Sequence, residues 1–597
     1  MRELEYPFNS EYIIKKKKSL KRELLSQDRQ YIDKKIAVLG GSTTHDIIAI
    51  TELFLLNEGI RPTFYECEYN QYWEEIMFDN KELKEFAPDI IYFHTSTRNI
   101  RNFPKTGDNE EAVKSLLDAE YSHFEALWDR AREVYNCPII QNNFEMPSYR
   151  LYGNMDAVCP QGRVRFIHSL NERFAEYAVN HKDFHIQDIL YLSAAYGLDA
   201  WANPLYWHMY KYALSLEAIP TLSHNLANII KSLFGKNKKA FALDLDNTLW
   251  GGIVGDDGPE NLEIGPETSM GQVYSEFQEY IKSQKDIGVI LNICSKNDHE
   301  NAIAGLKHPD SILSPDDFIT IKANWEPKSI NLVETAKELN LLPESFVFVD
   351  DNPAEREIIR AQVKGAAVPE IGSVEEYIRV IDRSGFFEVT SLSADDAKRN
   401  EMYKANAQRL IAEKSFNDYG EYLNSLEMTA VIEGFIPLYY DRITQLTNKS
   451  NQFNLTTRRY TGNEIEEVAG STEYIDLYGK LIDKFGDNGV VSVVIGHKKD
   501  EELLIDLWIM SCRVLKRDME YAMMDTLVGK CIEQGVKKIK GFYYPTAKNA
   551  MVKEFFGQMG FTKISEDENG NTVWEFEVKN DYKAQNHYIS VNKDSLG

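Results

Sequence analysis

The sequence predicts a multidomain α/β protein. Three observations carry this. At 597 residues the chain exceeds what one hydrophobic core holds, at about 100–200 residues per domain. Strand-like and helix-like segments alternate in the first third and again between residues 240 and 350, the pattern of parallel strands covered by helices. Within 240–350, apolar runs stop at polar residues, as strands do where an open α/β sheet gathers its chemistry.

Taken in order, residues 1–235 read as an N-terminal α/β domain. Lys35–Leu39, Pro62–Cys67, Ile90–His94 and Pro138–Asn142 are expected strands, and Thr44–Asn57 an expected helix. A helix is expected over Tyr206–Phe234, and Gly235-Lys236-Asn237-Lys238-Lys239 marks a boundary. Residues 236–387 form a second domain, 388–427 a charged helical connector, and 428–597 an α+β domain. In the last, strands are expected at Thr429–Ile432, Gly489–Ile495, Leu503–Met510, Lys538–Tyr544 and Thr572–Val578. Its expected helices are Tyr440–Asn448, Met519–Gln534 and Asn549–Met559.

Composition excludes several classes. A net charge of −26 argues against general nucleic-acid binding, which needs a basic footprint, and against adhesion to anionic membranes. No stretch is apolar and long enough to span a bilayer, and the N-terminus lacks a signal-peptide core. The basic run Lys15–Lys18 reads as a solvated helix face. The six cysteines are scattered without a CxxC pair, which suits reduced thiols and a cytoplasmic location.

The chemistry concentrates in the second domain. Phe241-Ala242-Leu243-Asp244-Leu245-Asp246-Asn247-Thr248 is a strand that ends in two carboxylates one residue apart. Acids so close repel each other, and a hard cation beside a phosphate is the usual reason to hold both. Three further segments complete the pattern: Val289–Cys294 followed by Ser295, Pro327-Lys328 at a helix start, and Phe346–Val349 followed by Asp350-Asp351. Together these motifs resemble the haloacid dehalogenase (HAD) phosphatase superfamily. The resemblance implies a Rossmann-like HAD core with Asp244 as nucleophile and Asp246 as general acid/base. Asp244, Asp246, Asp350 and Asp351 would supply Mg²⁺ ligands, Ser295 would hold a phosphate oxygen and Lys328 would offset its charge. The short gaps between motifs leave no room for a large cap domain.

Near the N-terminus, Val38-Leu39-Gly40-Gly41-Ser42-Thr43-Thr44 resembles the nucleophile block of SGNH hydrolases, an SGNH/flavodoxin-like fold. Ser42 would be the nucleophile and Asn142 or Asn143 the oxyanion-hole amide; His208, His45 and His94 are loose candidates for the base. The alternative is a binding or scaffolding domain that keeps the fold. Asn549-Ala550 and Phe555–Phe561 resemble a GNAT-like acyltransferase domain. Its expected nucleotide loop, Cys512–Glu520, has no glycine, so backbone amides are poorly placed to wrap pyrophosphate and acetyl-CoA is an unlikely ligand. The segment 448–458 is dense in amides and hydroxyls. Asn448, Asn451, Asn454, Thr457 and Arg458, with Asn549, either line a polar acyl or pantetheine pocket or form a hydrogen-bonded turn.

The three-part layout, the run Leu249–Gly258 and the 448–457 stretch together resemble the FkbH-like proteins, HAD subfamily IIIC, of polyketide pathways. This implies transfer of a glyceryl unit from 1,3-bisphosphoglycerate, a phosphorylated three-carbon metabolite, to the phosphopantetheine thiol of an acyl carrier protein. Cys294 would be the intermediate thiol, activated by Lys296. Adjacent strand residues face opposite ways, so the competing reading makes Cys294 a core thiol. A plain phosphatase and a non-catalytic synthase assembly module are the rival functions.

Overall fold

The computed structural model describes residues 1–591 except Asn451 and Ala547. The chain divides into two compact units, Met1–Leu233 and Phe234–Gly597.

The first unit is built on a parallel sheet of β1 (Ile32–Gly40), β2 (Ile60–Glu66), β3 (Ile90–His94), β4 (Ile139–Asn142) and β5 (Phe184–Gln187). The order is β2-β1-β3-β4-β5. Ile36–Leu39 and Ile90–Phe93 are buried throughout, as expected of strands covered on both faces. The chain switches sides between β1 and β3, and this leaves a crevice outside their carboxyl ends. The expected helix over Tyr206–Phe234 is instead two, Pro204–Tyr210 and Ile219–Leu233. Thr43 causes the break. Its N–H and hydroxyl donate to the carbonyls of Lys211 and Tyr210 at 2.9 and 2.6 Å, and Lys211 takes a left-handed conformation (φ 60°) that ends the first helix.

The second unit begins with a four-stranded parallel sheet: β6 (Ala240–Leu243), β7 (Asn292–Ser295), β8 (Thr320–Ala323) and β9 (Phe346–Val349), in the order β8-β7-β6-β9. Leu243 pairs with both Ile293 and Val349, so Asp244, Cys294 and Asp350 emerge side by side. The segments between motifs hold short helices, Val254–Asp257 and Ser269–Ser283, then His299–Leu306.

Beyond the connector lies a mostly antiparallel sheet. Its strands are β10 (Met428–Glu433), β11 (Phe453–Asn454), β12 (Tyr474–Asp483), β13 (Gly486–Lys499), β14 (Glu502–Met510), β15 (Lys538–Tyr543), β16 (Thr562–Glu566), β17 (Thr572–Glu577) and β18 (Ile589–Val591). One aromatic and aliphatic cluster covers each face. The connector helix Arg399–Glu413 is fastened to β12 by Arg409, whose guanidinium donates to both Asp483 oxygens at 2.8 and 2.6 Å. Sequence reasoning did not anticipate β5, β8, β11, β12, β16 and β18. The expected helix Asn549–Met559 is two short pieces, Ala550–Val552 and Phe555–Gln558, closed by Gly560 at φ 86°.

Candidate functional site

Asp244 and Asp350 leave the ends of adjacent parallel strands, and Lys328 opens the helix Lys328–Glu338 after Pro327. The fold brings the three together. Lys328 Nζ lies 3.0 Å from Asp244 Oδ1 and 2.6 Å from Asp350 Oδ2. Asp351 joins them: carboxylate oxygens of Asp244, Asp350 and Asp351 all lie within 4.8 Å of one another. Burial disfavours a charge on Lys328, but Asp244 and Asp350 outweigh it and hold its pKa above the ordinary lysine value. Burial, then the Asp244 charge, pushes Asp350 up to about 6, and the same two causes raise Asp351. Three carboxylates against one ammonium leave an excess of two negative charges. Hard oxygen donors with that excess fit a divalent cation, so the residues present suit Mg²⁺.

Backbone contacts fix the cluster. Arg356 is buried and its Nη1 donates to the carbonyls of Asp350 and Asp351, both at 2.8 Å. Asn352 N donates to Asp350 Oδ1 at 2.9 Å, and Asp351 N to Thr248 Oγ1 at 3.1 Å.

Asp246, expected as a fourth ligand and as the acid/base, is placed differently. It stands outside the carboxylate cluster, because donors already hold its oxygens. Oδ1 accepts from Trp250 Nε1 and Val254 N, each at 3.0 Å, and Oδ2 from Asn297 Nδ2 at 2.9 Å. Burial raises its pKa despite these bonds, which suits a proton carrier better than a metal ligand. Trp250 and Asn297 were not foreseen as site residues. The signal lay in their spacing: Trp250 is four residues after Asp246, and Asn297 follows the Ser295 strand end. Trp250 is itself seated by Gly305, where a Cβ would stand 2.8 Å from the indole.

Cys294 has the surroundings of the core-thiol reading. It is 1% exposed and packs among Ala242, Leu332 and Phe348. Its Sγ donates to the Lys328 carbonyl at 3.4 Å. Burial pushes its pKa up to about 12. Lys296, expected to activate it, is paired with Glu355 at 2.6 Å. Ser295, also buried, ends the same strand.

The N-terminal candidates do not assemble into a nucleophile and base. Among the described residues, Ser42 Oγ has no hydrogen-bond partner. His94 is buried, with Nδ1 2.9 Å from Tyr92 Oη and 3.0 Å from Asn142 Nδ2, and burial pushes its pKa down to about 4. His45 faces Glu66, and His208 lies exposed on the helix Pro204–Tyr210. Asn142 also donates to the Thr95 carbonyl, and Asn143 to Asp188 Oδ1 at 2.7 Å.

In the C-terminal domain the amides tie backbone together. Asn549 is fully buried, donates to the carbonyls of Asn454 and Tyr544 at 2.9 Å each, and accepts from Thr546 N at 2.7 Å. Asn454 Oδ1 accepts from Thr457 N at 2.8 Å. Asn448 donates to the carbonyls of Thr444 and Tyr460, and Arg458 is paired with Asp506 at 2.7 Å. Asn451 lies outside the described residues. The hydrogen-bonded turn is therefore the arrangement found. Asn549→Ala is expected to cost about 1–3 kcal/mol, since it strands the buried Asn454 carbonyl, while the Tyr544 carbonyl and Thr546 N–H lie nearer the surface. Urea denaturation checks this; unchanged stability would mean the amide serves a ligand instead.

Residues 35–231 match the family model of the FkbH N-terminal domain. No curated protein matches the chain. Among solved structures, the chain is similar to the N-terminal part of the protein BF1531 from Bacteroides fragilis, which contains a phosphatase domain complexed with Mg. The TM-score is 0.59 with 29% identity, over 64% of this chain and 99% of that one. The ribosomal-protein-S18-alanine N-acetyltransferase from Escherichia coli is matched at a TM-score of 0.21 and 11% identity, over 27% of this chain and 99% of that one. Ard1 from Thermoplasma volcanium is matched at 0.21 and 18%, over 25% and 99%. The last two likenesses are too slight to bear on the C-terminal domain. The family match thus likens residues 35–231 to the FkbH N-terminal domain, and the first solved structure likens the chain to a protein that contains a phosphatase domain.

Proposed function

We propose that this chain is a Mg²⁺-dependent HAD-type enzyme. It takes an acyl phosphate of the 1,3-bisphosphoglycerate class, removes phosphate, and passes the acyl unit to the phosphopantetheine thiol of an acyl carrier protein. The observation that carries the phosphate chemistry is the cluster of Asp244, Asp350 and Asp351 around one buried ammonium. Asp244, Asp350 and Asp351 would hold Mg²⁺, which when bound would offset charge on the phosphate oxygens. The Mg-bound phosphatase domain of the Bacteroides protein supports this choice of ion.

The chain's own residues do the rest. An Asp244 oxygen attacks the phosphorus of the donor's phosphoester, leaving its acyl phosphate intact, as the bond to the alkoxide oxygen breaks, and Asp246 gives that oxygen a proton. Asp246 then takes a proton from water. The resulting hydroxide displaces Asp244 from phosphorus, and phosphate leaves. Lys328 holds Asp244 in place throughout. Acyl transfer is the finer part of the reading, and the FkbH N-terminal match supports it. The carrier's thiol loses its proton to solvent and attacks the acyl carbon, and the second phosphate, that of the acyl phosphate, departs with the electron pair of the C–O bond. The buried, protonated state of Cys294 favours direct transfer over a thioester on this chain.

The test incubates the chain with Mg²⁺, an acyl phosphate donor and a holo carrier protein. Free phosphate is followed, and the carrier is weighed by mass spectrometry. Cys294→Ala is expected to load the carrier within about threefold of the parent rate, because the change removes a core thiol and no nucleophile. A variant that releases phosphate but no longer loads the carrier would instead place the thioester on Cys294. Phosphate release with no mass gain on any carrier would leave a plain phosphatase, the reading that the Bacteroides phosphatase domain favours.

A further inference from the structure

The loops that follow β3 and β4, the first turn of the helix Arg163–Asn180 and the helix Pro204–Tyr210 carry a basic surface. Residues 97–106, 146–168 and 200–212 contain seven Lys or Arg and one acid, in a chain of net charge −26. That acid, Asp156, is fully buried and accepts from Tyr152 N and Val164 N, so it neutralises none of the seven. Among the described residues, Arg101 alone of them is ion-paired, with Glu120.

The three segments form one face. The Arg163 guanidinium lies 4.8 Å from the Phe103 ring and 4.9 Å from the Tyr149 ring. Arg98 lies 5.2 Å from the Trp207 ring, and Tyr152 Oη donates to Thr106 Oγ1 at 2.8 Å. Large apolar side chains stand out between the cations. Leu151 and Val158 are each 66% exposed and Leu205 60%, and the helix Pro204–Tyr210 buries none of its residues. Exposed apolar groups interleaved with unpaired cations mark an interaction surface.

We infer that this face docks a small acidic protein through an amphipathic helix, whose apolar side chains meet Leu151, Val158 and Leu205 and whose carboxylates meet Arg98, Arg150 and Arg165. The carrier protein of the reading above belongs to that class, and the inference rests on that reading for the identity of its occupant. Nucleic acid fits less well, since its interfaces are polar where Leu151, Val158 and Leu205 are not; Tyr149 and Tyr210 are the exposed rings on which its bases would stack. An anionic membrane fits less well because the acidic remainder of the chain is repelled by it.

The experiment measures fluorescence anisotropy of a labelled holo acyl carrier protein titrated with the full chain. Arg98→Glu/Arg150→Glu/Arg165→Glu is expected to weaken binding by at least about tenfold, and raising NaCl from about 0.05 to 0.5 M to weaken the parent's binding likewise. Leu151→Asp/Val158→Asp should weaken it as well. Lys15→Glu/Lys16→Glu/Lys18→Glu, an equal reversal on another helix, should leave it unchanged. Phosphate release from the small donor at the parent rate shows that the Arg variant is folded, and it separates loss of docking from failure of the catalytic reading. The inference is overturned if the parent does not bind the carrier, or if the Arg reversal has no effect. It is equally overturned if phosphatidylglycerol vesicles or single-stranded RNA bind the same face in the carrier's place.

Discussion

Asp244→Asn is expected to abolish phosphate release while making the metal-free protein more stable. The first effect follows from chemistry: an amide cannot attack phosphorus, and losing a nucleophile that acts in concert with its partners costs on the order of 10³-fold or more. The second follows from counting charges. Asp244 meets one cation, Lys328, and two carboxylates, Asp350 and Asp351, at comparable range. Two unit charges about 4 Å apart interact by roughly 4 kcal/mol at an effective dielectric of 20, so removing the Asp244 charge loses one attraction and relieves two repulsions. The melting temperature in EDTA should rise, by roughly 2–4 °C for each kcal/mol gained in a domain of this size. The upward shift that Mg²⁺ gives the parent should shrink, because ion binding stabilises only the state that binds it. Measured turnover within tenfold of the parent would remove Asp244 from the mechanism. An unchanged melting temperature would remove the electrostatic account of the cluster.

How much of this was legible depended on the length of the signal. Phe241–Leu243, Val289–Cys294 (Asn292 apart) and Phe346–Val349 are apolar runs with a polar stop, and parallel strands buried on both faces read that way. Their alignment was legible only in part. The polar stops announce a common edge, but the register that sets Asp244 beside Asp350 is a property of the sheet. Asp246 shows the limit. Two residues after a nucleophile it reads as one more ligand, and only the folded chain reveals that Trp250, Val254 and Asn297 already occupy its oxygens. Cys294 is similar, since alternation along the strand allowed two outcomes and packing against Leu332 and Phe348 decided between them. The break at Lys211 was invisible for another reason. It is imposed by Thr43, more than 160 residues earlier, and a local window cannot report it. Strands as short as β11 and β18 carry too few residues for a period of two to register.

Lys328→Met is expected to inactivate the enzyme as well, with a stability change of opposite sign. Lys328 is 3% exposed and, among the described residues, is the one cation bonded to both Asp244 and Asp350. Its loss leaves buried carboxylates facing each other without compensation, and breaking a buried pair from one side costs about 3–5 kcal/mol. The pH dependence follows from its raised pKa. A cation whose folded-state pKa lies above its unfolded value contributes fully below the unfolded value and is lost only as pH rises through the folded one. The gap between parent and variant should therefore hold from neutrality up to roughly pH 10. Toward acid pH it should narrow, beginning above 6 because the variant's Asp350 lacks the ammonium that lowers its pKa, takes a proton sooner and ceases to need a cation. Lys328→Arg separates charge from shape. It restores the positive charge, so part of the stability should return. Activity should not, because a planar guanidinium cannot place one donor between the two carboxylate oxygens as the ammonium does. Denaturation in EDTA across this pH range, beside phosphate release at neutral pH, checks both. If Lys328→Met were as stable as the parent, the pairing of Lys328 with Asp244 and Asp350 would not be what holds the strand ends together. The acidic cluster would then need another source of compensation.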